Sequence, residues 1–198
     1  DSARVFSLFA APPEKELEWN MNGLAGAYRF LNRLFLLIED TKEFSEAGEI
    51  DHGKRNNEDS EIQKKLHQTV KKVSESMEDN FHFNTAIAAL MELLNDMTAY
   101  RQKVIDTGNI SSESKKIWRE VMEKTVLMLS PFAPHIADEL WSASGREGYA
   151  FLESWPEYIE ELTKESKINL VVQVNGKLRD TILADVNIPK EELEKIAL

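Results

Sequence analysis

The side chains best placed to do chemistry in this sequence are cations at helical spacing. Wound at roughly 100° per residue, Lys64, Lys65, Lys71 and Lys72 fall within about 120° of one another. Gln68 sits among them, while Glu61 and Glu75 dilute the patch. Arg29 and Arg33 stand four residues apart, and Lys177 and Arg179 alternate onto one face of a strand-like run. The chemistry open to such groups is electrostatic: Lys and Arg neutralise phosphates and release their counterions. Each pattern also has a plainer reading. A solvated helix face carries the same lysines, the two arginines pair equally well with acidic neighbours, and a charged sheet face is common.

Other chemistries are poorly provided for. The four histidines, His52, His67, His82 and His135, are scattered. His135-x-x-Asp138-Glu139 comes nearest to a ligand set, but zinc needs three or four converging ligands, so a structural role at a helix start is expected. Cysteine is absent, which removes thiol nucleophiles, disulfides and thiolate metal sites. No glycine loop cradles a phosphate, and no GxSxG or triad pattern occurs. With 35 Asp and Glu residues, chance carboxylate pairs are inevitable and read as a solvated acidic surface. A formal charge of −11 taken alone argues against a nucleic-acid partner. Net charge averages over faces, however, and local clusters decide whether a phosphate backbone is met. No catalytic residue, metal or cofactor is expected in this chain.

The elements that position these cations follow from apolar periodicity. An opening segment, 1–22, contains VFSLFA, which is either a strand or a buried helical turn. Ala27, Leu31, Leu34 and Ile38 predict a first long helix over 23–39. Residues 44–59 are polar and read as a mobile loop. Ile62, Leu66, Val70, Val73 and Met77 form a one-sided stripe over 60–79. A third helix is expected over 85–106, capped by Asn84 and running through Ile87, Leu90, Leu94, Met97, Arg101 and Val104. A fourth over 112–129 is capped by Ser111 or Ser112, and a short fifth over 134–142 opens on Pro134, whose missing N–H has no intrahelical partner to lose. Four long amphipathic helices and one short one imply a bundle. Trp118, Trp141 and Trp155 read as core residues, because base stacking needs rings interleaved with basic residues. After a linker at 158–167, residues 169–174 and 178–183 predict a hairpin turning at Asn175-Gly176, with a helical pattern over 189–198. No apolar run approaches the ~20 residues of a membrane span.

Several stretches carry a family resemblance, in order along the chain. SPFAPHIADELW at 130–141 resembles the last helix of the anticodon-binding bundle in class I aminoacyl-tRNA synthetases of the Val/Ile/Leu group. SARVFSLFAAPPEKELEW, YRFLNRLF, FHFNTAIAALMELLN and LESWPE are similar to successive bacterial leucyl-tRNA synthetase segments, and VQVNGKLR resembles the start of that enzyme's small C-terminal domain. The resemblance implies a mainly α fold, an anticodon-binding-type bundle with an appended β-hairpin/helix tail. It divides the chain into 1–22 leaving the catalytic core, the bundle at 23–157, the linker at 158–167 and a truncated C-terminal tRNA-binding domain at 168–198. It implies a fragment of a leucine–tRNA ligase whose ATP- and Mg-dependent chemistry lies upstream, since neither a HIGH-type nor a KMSKS-type motif is present. Its implied partners are tRNA(Leu) and the catalytic and editing domains of the same parent chain, in the cytoplasm and away from membranes. By position it sets Arg29, Arg33, Lys71, Lys72, Lys177 and Arg179 near tRNA; Lys64 and Lys65 join them by pattern alone. The competing reading is a non-catalytic helical scaffold, which explains the acidity but not the ordered run of motifs.

Overall fold

The structure is a computed structural model that describes residues 1–11, 15–78, 81–108, 110–164, 167–174 and 177–185. These separate into two compact units, Asp1–Leu162 and Thr163–Leu198. The first is a helical bundle: α1 (Ser2–Ala10), α2 (Met21–Thr41), α3 (Asn57–Glu78), α4 (Phe83–Tyr100), α5 (Ser112–Leu129) and α6 (Pro134–Ala143). A single turn, α7 (Glu160–Thr163), follows an extended stretch. α3 lies against both α4 and α5, α1 against α2 and α4, and α6 against α2 and α5.

VFSLFA is helical, and its Val5 and Phe6 are buried in α1. Gly23 makes that contact feasible, because a Cβ there would come within 2.5 Å of Phe6 Cε2. The α3 stripe faces inward as expected: Ile62, Leu66, Val70 and Val73 are buried with Leu90 and Leu94 of α4 and Val121 of α5. Trp118 and Trp141 are core residues, but Trp155 is 39% exposed. Its indole N–H instead donates to Ser74 Oγ at 2.8 Å, so a polar contact rather than the core fixes the ring.

Helix starts depart from expectation at α2 and α4, and α6 takes its cap from a partner distant in sequence. α2 starts at Met21 because Asn20 accepts from Gly23 N–H at 2.6 Å. α4 begins at Phe83, so Asn84 lies inside the helix and His82 precedes it without a side-chain cap. α4 then ends in a π-helical turn, Arg101–Ile105. Arg101 is not a core position; it bridges Asp40 at 3.2 Å and Asp106 at 3.3 Å. α5 matches its predicted span and uses Ser111 as cap. The α6 N-cap position is Ala133, which has no side chain to offer. Asp1 does the work from the other end of the chain, with Oδ2 accepting from Ile136 N–H and Oδ1 pairing with His135 Nδ1, both at 2.8 Å. A carboxylate also complements the positive end of the helix. Asp1→Ala is therefore expected to cost about 1 kcal/mol, read as a lower urea midpoint. An unchanged midpoint would mean that water caps α6 equally well.

Residues 44–59 are not an unattached loop. Asp51 N–H donates to Glu113 Oε1 at 2.5 Å, Glu46 N–H to Lys115 O at 3.3 Å, and Lys116 Nζ to Glu49 O at 3.1 Å, which ties the stretch along α5. Its last residue, Asp59, is fully buried. Asp59 accepts from Tyr100 Oη at 2.6 Å and Ser114 Oγ at 3.0 Å, and exchanges hydrogen bonds with Asn56 as a reciprocal cap of α3. Burial, together with the neighbouring Asp59 carboxylate, pushes the Tyr100 phenol well above its ordinary range, so it remains a donor.

In the second unit, β1 (Lys167–Val174) and β2 (Lys177–Asp185) pair antiparallel from Lys167 opposite Asp185 to Val174 opposite Lys177. The turn expected at Asn175-Gly176 and the helical pattern at 189–198 lie outside the described residues.

Candidate nucleic-acid interface

Arg29 and Arg33 project from α2, one helical turn apart and off its buried stripe, and both are exposed. Arg33 is steadied by a 3.1 Å hydrogen bond from Nη2 to Asn95 Oδ1 of α4. The two guanidinium groups border a groove of about 750 Å³ between α1, α2 and α4. The fold brings this pair to a shared concave surface.

The four lysines of α3 do not act as one face. Lys65 is drawn to α4, where it pairs with Glu92 at 3.1 Å and Asp96 at 3.7 Å. Lys71 is drawn the other way, to Glu160 at 2.9 Å, with its Nζ 5.6 Å from the Tyr158 ring centroid. The hydrogen bond to Glu160 raises the Lys71 ammonium above its ordinary pKa, so its charge is already committed within the chain. Lys64 is half-buried and Lys72 exposed, and neither has an ion-pair partner among the described residues. Lys72 is thus the α3 lysine best disposed toward an external phosphate. A glutamate at position 71 would set like charge against Glu160, so Lys71 is a poor site for a clean charge swap.

Lys177 and Arg179 both lie on β2. The register shifts between Val172 and Gln173, leaving Arg179 between the paired Leu178 and Asp180.

Sequence periodicity missed a second polar surface, a cleft of about 600 Å³ across α5. Lys116, Arg119, Lys124 and Arg146 line it, but Glu46, Glu49, Glu120 and Glu123 do too, so its charges balance. Arg119 and Arg146 both donate to Glu123. Beside it, His67 is fully buried, with Nδ1 accepting from Ile159 N–H at 3.1 Å and Nε2 3.4 Å from Glu120 Oε1. Lys124 Nζ donates to Glu157 O at 2.9 Å. With the Trp155–Ser74 and Lys71–Glu160 contacts, these fasten residues 155–160 along α3 and α5. The sequence signal was available but faint: His67 falls next to the α3 stripe, at the edge of the buried arc. The arrangement is structural, holding a chain segment rather than a reacting group.

Residues 59–197 match the family described as the anticodon-binding domain of tRNA ligase. A leucine–tRNA ligase of Fusobacterium nucleatum is 46% identical over 200 residues, an alignment that covers all of this chain and 23% of the relative. One from Geobacter sp. strain M21 is 42% identical over 199 residues, again covering 100% and 23%. Among solved structures, the ternary complex of Agrobacterium radiobacter K84 agnB2 LeuRS with tRNA and LeuAMS superposes with a TM-score of 0.78 at 32% identity, covering 98% of this chain and 24% of that one. The chain thus spans about a quarter of the length of these relatives.

Proposed function

The chain belongs to the family of anticodon-binding domains of tRNA ligases, and from that premise we propose that it is the tRNA-docking bundle of a leucine–tRNA ligase. Its role is to hold tRNA(Leu) while domains outside this chain carry out ATP- and Mg-dependent leucylation. The observation that carries this reading is the match over 98% of the chain to a LeuRS solved with tRNA. The paired strands of the second unit are then the beginning of a C-terminal tRNA-binding domain, and the other partners are the catalytic and editing domains of the parent. A cytoplasmic location follows from that role; among the described residues no helix is long and apolar enough to cross a membrane. A bare helical scaffold is disfavoured, because 46% identity to a leucine–tRNA ligase over all of this chain has no place in it.

The division of labour has a physical logic. A chain of formal charge −11 cannot attract RNA at long range, so contact depends on cations displayed where carboxylates are few. Arg29 and Arg33 meet that description better than Lys65 and Lys71, whose charges are neutralised internally. The chain should bind a leucine tRNA transcript weakly, with Kd in the range of about 10⁻⁴–10⁻⁶ M. In a titration of salt, Arg29→Gln with Arg33→Gln should flatten the log–log slope by somewhat under one unit for each lost phosphate contact. Lys72→Gln should flatten it less, and Lys65→Gln not at all. Binding that is absent, or indifferent to salt and to both arginines, would overturn the docking assignment.

A further inference from the structure

The groove between α1, α2 and α4 has a composition that phosphate contact alone does not require. Its lining is apolar: Phe9 is exposed, Met91 is half-buried, and Phe6, Phe30 and Leu94 are packed beneath them in the core. Two amide side chains, Asn20 and Asn95, stand at its edge beside Arg29 and Arg33. No described lining residue is acidic, in a chain that carries 35 Asp and Glu. The volume, about 750 Å³, lies within the ~300–1,000 Å³ typical of pockets for small organic groups. Gly23 and Gly26 keep the α2 wall low, and the space above Gly26 is open apart from Arg29 Nη2 at 3.9 Å from an added Cβ.

We propose that this groove receives an unstacked nucleotide of the bound RNA, its base against the exposed Phe9 ring and its flanking phosphates on Arg29 and Arg33. The inference rests on the tRNA-docking reading and adds a specific contact to it. An aromatic and apolar floor is what an exposed base face needs, and it tolerates any base because each has a π-face. Guanidinium groups on the rim then fix the backbone through paired N–H donors. Asn95 already accepts from Arg33, which holds that guanidinium at the rim before RNA arrives. Two guanidinium groups with no carboxylate in the lining call for an anionic occupant, and the tRNA-docking reading makes that anion RNA; an acidic protein segment in its place would leave tRNA affinity untouched when the groove is filled.

The test fills the groove while keeping both arginines. Gly26 is helical, so Gly26→Leu removes a helix-weakening glycine and should leave the melting temperature unchanged or slightly higher. The probe is an in vitro transcript of a leucine tRNA, titrated against the full 198-residue chain across a salt series. The expected result is an affinity lower by on the order of tenfold, the loss of one base stack, with the salt slope unchanged. Unchanged affinity overturns the nucleotide pocket. A slope that falls as far as in the double arginine variant also overturns it, because leucine would then act by displacing the guanidinium groups. If the arginine variant itself changes nothing, the docking reading fails first; if it flattens the slope while Gly26→Leu is silent, docking stands and the groove is empty.

Discussion

Trp118→Ala is expected to destabilise the bundle by about 3–5 kcal/mol, against a total of roughly 5–15 kcal/mol for a domain of ordinary stability. Trp118 is fully buried in α5 and stacks on Tyr100 of α4, with ring centroids 5.4 Å apart and planes within 13°. Its indole N–H donates to Thr41 Oγ1 at 3.1 Å, so one side chain joins α2, α4 and α5. Truncation does not strand the Thr41 hydroxyl, which still donates to Leu37 O at 2.6 Å. The cost is therefore cavity and lost ring contact rather than an orphaned donor. It should appear as a lower urea midpoint with an unchanged slope. Leu36→Ala on the exposed face of α2 provides the control and should fall within about 0.5 kcal/mol of wild type. A Trp118→Ala loss below about 1 kcal/mol would mean the three helices close over the gap.

How far the sequence anticipates this architecture depends on the range of the interaction. Apolar periodicity is a local property, and it reads correctly for α3 and α5, where Ile62 to Val73 and Ile117 to Leu129 face the core. Helix starts are read less well: Asn20 opens α2 two residues early, Asn84 lies inside α4, and the α6 cap is not local at all. Nothing near Pro134 predicts that α6 is capped by Asp1, 135 positions from Ile136. Residues 44–59 look like free loop because their composition is polar. Their ties run to Glu113, Lys115 and Lys116 on α5, and those contacts exist only once α5 is folded alongside. Trp155 misleads for the opposite reason. A tryptophan beside proline suggests burial, yet Ser74 offers its N–H a partner at the surface.

The candidate interface shows the same limit. Helical winding puts four lysines of α3 on one arc, and the arc is real, but winding says nothing about what flanks it. α4 offers Glu92 and Asp96 on one side and Glu160 lies on the other, which divides the arc between two internal partners. Arg29 and Arg33 were assigned from spacing and family position, and the groove beside them needs α1 and α4 to exist. Its phenylalanines and glycines come from separated segments, so no window of sequence contains the site.

Acid should loosen the chain through one carboxylate. Burial alone would raise the Glu120 pKa, but hydrogen bonding from His67, the Lys124 charge and a hydrogen bond from Gln63 outweigh it, and the value falls from 4.5 to about 2. Lys124 Nζ lies 2.9 Å from Glu120 Oε1, and Gln63 Nε2 donates to Oε2 at 2.9 Å. Because the folded-state pKa is depressed, the stabilisation is fully present above pH 4.5 and is lost as pH falls to about 2. A shift of that size corresponds to about 3 kcal/mol. Glu120→Gln should remove most of it at pH 7, and the gap from wild type should close between pH 4.5 and 2. The loss has a definite address. Ile159 N–H donates to His67 Nδ1, and Nε2 of the same ring lies 3.4 Å from Glu120 Oε1. Weakening that carboxylate frees the imidazole that holds residue 159, and hydrogen exchange at Ile159 should lose protection in Glu120→Gln while the α4 core amides keep theirs. A stability gap independent of pH would show that Glu120 contributes shape rather than charge. Uniform exchange across α4 and residue 159 would show that the fastened segment and the bundle open as one unit.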